Sequence, residues 1–267
     1  MICIKNVSML YTIPGILMRA TVVKRPSAAI KSPYVADIRL DDGRIGLCHT
    51  PGLGCCGLVE AGRVIYVAAG RPGSKTAFTS HIAECTDSEG IYYVGIHPMV
   101  SNSAARGLLS KISTEANWES EVVVDDHTRL DYVGTLANGK KIYVEVKTAM
   151  ISKQCATLRS QRRAIFPEGY RKSMKDTISP RAVKHAETLA ALKMKEDTDL
   201  CVLVFILPRG DCGAGMDINV HDETYYNAVS AAATAGIQVR AFALSYSLEG
   251  IVSLDKEVPV YLPPRRL

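Results

Sequence analysis

The segment that most constrains the fold of this chain is Arg129 to Thr148, R-L-D-Y-V-G-T-L-A-N-G-K-K-I-Y-V-E-V-K-T. Asn138-Gly139 lies between two strand-like runs and is the strongest short-range hairpin signal, because both residues accept the positive φ of tight turns. Leu136-Ala137 before the pair and Lys140-Lys141 after it leave the loop length open. In the second run Ile142, Val144 and Val146 alternate with Tyr143, Glu145 and Lys147. A period of two puts the apolar side chains on one face and Glu145 with Lys147 on the other. A hairpin in register brings Asp131 beside them.

Two carboxylates and an ammonium suit the metal-dependent hydrolysis of a phosphodiester. Asp131 and Glu145 offer hard oxygen ligands to Mg²⁺ or Mn²⁺, with the carbonyl of Val146 as a further one. Lys147 would steady the attacking water or the charge that grows on the phosphoryl oxygens. Glu121, heading the run V-V-V, is the candidate third carboxylate. An ordinary surface salt bridge uses the same residue types, so the context of the motif decides between the two.

That context is permissive. The 267 residues allow one large domain or two smaller ones, and a formal charge of +5 is compatible with nucleic acid without demanding it. No apolar run approaches the roughly 20 residues of a membrane span, and the N-terminus lacks a signal-peptide pattern, so no membrane partner is expected. Eight scattered cysteines read as reduced thiols, which with the missing leader points to the cytoplasm. Cys48-His49 with Cys55-Cys56 has no zinc-knuckle spacing and reads as a Gly-rich bend.

From about residue 16 to 80 the chain alternates short strand-like runs with turns: Ile16 to Lys24, Tyr34 to Leu40, Arg63 to Ala69 and, reaching a little further, Ala77 to Cys85, with Asp41-Asp42-Gly43 as a hairpin signal. This pattern suggests a small barrel of the oligonucleotide-binding (OB) kind. Lys24, Arg25, Lys31 and Arg39 surround Tyr34, a set able to track phosphates and stack a base, although a solvated face has the same composition.

Beyond Pro98 the periodicity changes. Ser101 to Lys111 reads as a short amphipathic helix, and Trp118 as a packing residue. After the E-V-K run come Lys153, Arg159, Arg162, Arg163, Arg171, Lys172 and Lys175, which fit a phosphate-steering rim. Ser179-Pro180 starts a helix carrying Lys184 and His185, Leu200 to Leu207 reads as a central parallel strand, and Asp222 opens a helix that stops at Gly236. Ile237 to Tyr246 adds a strand, which makes an α/β sheet extended from the hairpin. Val258 to Leu267 reads as a tail.

Y-V-A-D-I-R-L-D-D-G, T-R-L-D-Y with Y-V-E-V-K-T, R-A-V-K-H-A-E-T-L, V-L-V-F-I-L and A-A-A-T-A-G-I-Q-V-R-A-F together resemble the sugar fermentation stimulation proteins over nearly the full chain. The resemblance implies an α/β protein with an N-terminal all-β OB-like barrel over residues 1–85. A restriction-endonuclease-like PD-(D/E)xK domain with a mixed sheet would follow over 86–257, and a tail over 258–267. It implies a DNA partner, single- or double-stranded, with Asp131 as the family's acid, Glu145-Val146-Lys147 as its E-V-K, and Lys184-His185 as its basic pair. The family's C-P-N-T-G-like bend is replaced here by C-H-T-P-G-L-G-C-C-G. Three functions stay open: a Mg²⁺-dependent nuclease, a DNA-binding protein whose nuclease fold has no turnover, and a small-molecule enzyme of sugar metabolism. Oligomeric state is not legible, a dimer included.

Overall fold

A computed structural model describes residues 8–53, 55–125, 128–153, 158–169, 173 and 176–262. After β1 (Met9–Thr12), the strand-like runs of the first third form β2 (Met18–Lys24), β3 (Val35–Leu40), β4 (Ile45–His49), β5 (Val64–Ala69), β6 (Phe78–Asp87) and β7 (Gly90–Gly95). Strands β2 to β7 make one sheet in the order β4-β3-β2-β5-β6-β7, and a further parallel pairing joins Cys48 to Phe78 and His49 to Thr79, linking β4 to β6. Its inward side chains, among them Val22, Ile38, Leu40, Ile65 and Val67, share one core with Cys48 and Cys55. Burial pushes the Cys48 thiol up to about 12, as expected for a cysteine used as a small hydrophobe.

Helix α1 (Pro98–Gly107) starts three residues before the expected position, because Pro98 supplies a preset φ for the first turn. It ends where β1 crosses it: a Cβ on Gly107 would lie 3.0 Å from Leu10 Cδ2 and 3.2 Å from Leu10 Cα.

The remaining elements are β8 (Asn117–Asp125), β9 (Thr128–Thr135), β10 (Lys141–Thr148), β11 (Ser152–Lys153), β12 (Arg163–Phe166), α2 (Pro180–Lys193), β13 (Thr198–Leu207), β14 (Gly215–Ile218), α3 (Glu223–Thr234), β15 (Gln238–Tyr246), β16 (Ile251–Val258) and β17 (Val260–Tyr261). A seven-stranded mixed sheet runs β1-β16-β15-β13-β10-β9-β8, parallel through β10, β13 and β15 and antiparallel on both sides of them. The chain is therefore a sheet-dominated mixed α/β protein.

Strand β13 is buried on both faces, which explains its continuous apolar run. Leu203, Phe205 and Leu207 pack with Val183, Ala186 and Leu189 of α2 and with Tyr225 and Val229 of α3. Val202, Val204 and Ile206 pack with α1 and with Tyr66 and Ile82 of the first sheet. Several strands came without a local signal, among them β1, which pairs with β16 at the edge of the large sheet, and β17, where Val260 and Tyr261 pair with Met216 and Asp217 in a small sheet ordered β11-β12-β14-β17. Among the described residues no helix is long and apolar enough to cross a membrane.

Candidate active site

The hairpin forms at Asn138-Gly139. Leu136 N–H donates to Lys140 O at 2.9 Å and Gly139 adopts φ +83°, so the loop is Ala137-Asn138-Gly139, a three-residue type with glycine in the left-handed position. Backbone pairing runs from Thr135↔Lys141 to Tyr132↔Val144. One step further, where Asp131 faces Glu145, the ladder stops, and Val146 N–H donates instead to Asp131 Oδ2 at 2.7 Å.

The ladder on the other side of β9 is also interrupted here. Ser120↔Tyr132 and Val122↔Leu130 are paired, while Glu121, the residue between them, has φ +57°, an uncommon conformation for a side chain with a Cβ. Asp131 thus sits where both neighbouring strands release β9, which opens a cavity of about 40 Å³ lined by Asn102, Ser120, Glu121, Asp131, Tyr132 and Val146.

Tyr143, Glu145 and Lys147 share the face of β10 opposite Ile142, Val144 and Val146, as the alternation requires, but that face is covered by α2. Glu145 is therefore only 2% exposed. Its Oε1 is held by Lys147 Nζ and by His185 Nδ1, and these two nitrogens stand 3.2 Å apart. Arg181 Nε donates to His185 Nε2 at 3.4 Å. A ring nitrogen that accepts from Arg181 leaves the imidazole proton on Nδ1, where it is donated to Glu145.

Glu145 Oε2 is buried and has no hydrogen-bond partner, an arrangement that costs free energy unless something fills it. Burial pushes the Glu145 carboxyl upward, yet the His185 hydrogen bond and the Lys147 ammonium outweigh it and hold the group below the ordinary glutamate range. Asp131 goes the other way: burial first, then the charge of Glu145, push it up to about 6 against the Val146 N–H and Lys147.

The donor set is all oxygen. Among the described residues no group of three or more His, Cys, Asp or Glu side chains is placed to hold a metal ion by itself. Two neighbouring carboxylates are the oxygen donors that suit a hard divalent cation, which completes its shell with water. Glu121 lines the cavity but is ion-paired to Arg129 at 3.3 Å with its side chain 62% exposed.

The raised Asp131 value has a consequence for stability. Its protonated form is favoured by folding, so this contribution is complete below about pH 3.8, the ordinary value of an aspartate, and is lost as the pH rises through about 6. Without divalent cations the wild type should lose about 1–3 kcal/mol relative to Asp131→Asn between about pH 4 and pH 7. Urea unfolding of both proteins in chelator at the two pH values reads this directly, and parallel profiles would refute it.

The profile described as the sugar fermentation stimulation protein RE domain matches residues 97–250, more than half of the chain. The chain belongs to the sugar fermentation stimulation protein family. The homologue from Synechococcus elongatus is 29% identical over 249 residues, covering 91% of this chain and 94% of its own, and that from Carboxydothermus hydrogenoformans is 27% identical over 236 residues, covering 86% and 92%. The structure of Pyrococcus furiosus SfsA in complex with Ca²⁺ superposes with a TM-score of 0.72 over 95% of this chain and 99% of that one, at 21% identity, and so shares the fold.

In this sugar fermentation stimulation protein the cationic stretch after the hairpin is occupied with structural partners. Arg159 bonds Asp87 through Nη2 and Nε at 2.7 and 3.0 Å, and Arg162 reaches Asp87 at 2.7 Å and Asp211 at 3.3 Å. Both tie the β6–β7 hairpin to the segment that leads into β12 of the small four-stranded sheet. Arg163 pairs with Asp217 at 3.1 Å and lies 3.8 Å over the Tyr261 ring. Arg171, Lys172 and Lys175 lie outside the described residues.

On the first sheet Lys24, Lys31, Tyr34 and Arg39 are exposed, but Arg25 is turned inward, its Nη2 bonding Pro33 O at 2.6 Å and Gly52 O at 2.7 Å. Trp118 packs across from Gly134, where a Cβ would come within 3.0 Å of the indole. Lys184 is exposed on α2, whereas His185, expected among the DNA contacts, is buried against Glu145. Arg181 escaped the sequence reading, although its spacing of four from His185 places both on one helix face.

Proposed function

We propose that the protein binds DNA and hydrolyses its phosphodiester backbone with Mg²⁺ or Mn²⁺, in a restriction-endonuclease-like PD-(D/E)xK domain. The observation that carries this is the closeness of Asp131, Glu145 and Lys147 on the adjacent strands β9 and β10, with the Glu145 Oε2 left unpaired. Asp131, Glu145 and the Val146 carbonyl would hold the cation; Glu121 lines one cavity with Asp131 and Val146. When bound, the cation supplies Lewis-acid polarisation of the phosphoryl oxygens and activation of water. Lys147 would neutralise charge on the reacting phosphate, and His185, by holding Oε1 of Glu145, would leave Oε2 available to the cation. The Ca²⁺ bound by the Pyrococcus furiosus protein, another hard cation that takes oxygen ligands, supports the reading.

The six-stranded sheet is proposed as the OB-like module. Its parallel β4–β6 pairing supports this, because it joins the edge strand β4 back to the body of the sheet. Its exposed Lys24, Lys31, Tyr34 and Arg39 are the candidate contacts. A second reading, DNA binding without turnover, is favoured by one observation: Glu145 Oε1 is already saturated by Lys147 and His185.

Cleavage of single- and double-stranded DNA by the purified protein with Mg²⁺ or Mn²⁺, beside a Glu145 variant, separates the two. Binding itself should weaken steeply with salt through counterion release. An affinity that stays flat between low and physiological salt would refute a phosphate-dominated interface.

A further inference from the structure

Beside the carboxylates lies an open cavity of about 470 Å³ lined by Arg129, Pro180, Arg181, Lys184 and His185. No carboxylate is in its lining, and three of the five residues are permanent cations at neutral pH. The positions follow from the two elements that frame it. On β9, Arg129 and Asp131 lie two residues apart, so Arg129 stands one strand repeat, about 6.7 Å, from the proposed cation ligand. On α2, Arg181, Lys184 and His185 are spaced three and four apart and share one face. His185 forms the floor, since it bonds Glu145 behind it and Arg181 beside it. The cavity and the carboxylate cluster therefore share a wall.

We infer that this cavity is a phosphate subsite, in which Arg129 and Lys184 bind the backbone phosphate next to the one attacked. The inference rests on the phosphodiesterase reading and extends it by assigning the path of the nucleic-acid strand, from Asp131 along β9 and over the first turns of α2. Arg129 is 57% exposed and its ion pair with Glu121 is of the surface kind that contributes little, so the guanidinium exchanges partners at low cost. The start of α2 adds its positive dipole end to the same opening. Arg181 is a positioning residue, because its guanidinium bonds the imidazole that holds Glu145.

The test measures binding rather than cleavage, in chelator, with the full chain and oligonucleotide DNA of both single- and double-stranded form. Arg129→Ala and Lys184→Ala should each weaken binding and reduce the slope of log affinity against log salt by about 1, and the double variant by about 2. Lys195→Ala, at an exposed cation just beyond the C-terminal end of α2, should bind as the wild type does. A double variant with wild-type affinity and slope overturns the subsite while leaving the catalytic reading standing. Equal losses in Lys195→Ala overturn it as well, by showing only a change in overall charge. A wild type with no salt-dependent binding overturns the subsite and the proposed function together.

Discussion

Glu145→Ala is expected to remove cation binding and with it DNA cleavage, while binding of DNA in chelator stays equal or improves slightly. The carboxylate is the candidate ligand whose free oxygen is buried without a partner, so no solvent-exposed group can take its place. Loss of a ligand should cost more than the roughly 10–100-fold in affinity typical of the groups that merely support ligands. Cleavage should fall at least as far. Binding in chelator is spared because a negative charge leaves the neighbourhood of the phosphates.

The variant also strands Lys147 and His185 without their shared acceptor, in a place where breaking a buried ionic contact is expensive. Glu145→Gln is therefore needed beside it, since the amide keeps the shape and one acceptor oxygen. The readouts are the midpoint of thermal unfolding with and without Mn²⁺ and the rate of oligonucleotide cleavage. A cation at 100 times its dissociation constant should stabilise the wild type by about 2.7 kcal/mol and Glu145→Gln by much less. Cleavage that survives in both variants would mean that the activity resides elsewhere. A wild type inactive with both metals that still binds DNA would move the conclusion to the binding-only reading.

Lys147→Ala should separate binding of the cation from turnover. The ammonium is not a ligand, and its removal leaves Glu145 hydrogen-bonded to His185, so the carboxylate keeps one of its two supports. Cation affinity should change little, while the cleavage rate should drop by about 10²–10³-fold, the usual loss for one charge-stabilising donor. Lys147→Arg should not restore it. The side chain is 14% exposed, in a packed place between Glu145 and His185, where the larger planar guanidinium cannot occupy the position of a point charge. If cation affinity fell in parallel with turnover, Lys147 would be holding Glu145 rather than acting on the phosphate.

Sequence alone determined those features whose causes lie within a few residues of one another. The hairpin follows from Asn138-Gly139, the shared face of Glu145 and Lys147 from the period of two, and α2 from Ser179-Pro180, with the Ser179 side chain capping Ala182 N–H as such a pair does. Asp222 likewise accepts from Tyr225 N–H at the start of α3. The continuous apolar run of β13 announced a strand buried on both faces. The tertiary structure decided what each charge does. Arg159, Arg162 and Arg163 make a basic stretch in one dimension, but Asp87, Asp211 and Asp217, between 49 and 75 residues from their partners, turn them into structural ties. His185 becomes the support of Glu145 only because α2 packs across β10, and Arg129 meets Lys184 only because β9 and α2 frame the same cavity. A period or a cap is encoded in neighbouring residues, whereas the partner of a long, flexible charged side chain is selected by which elements fold against it, and no local pattern records that choice.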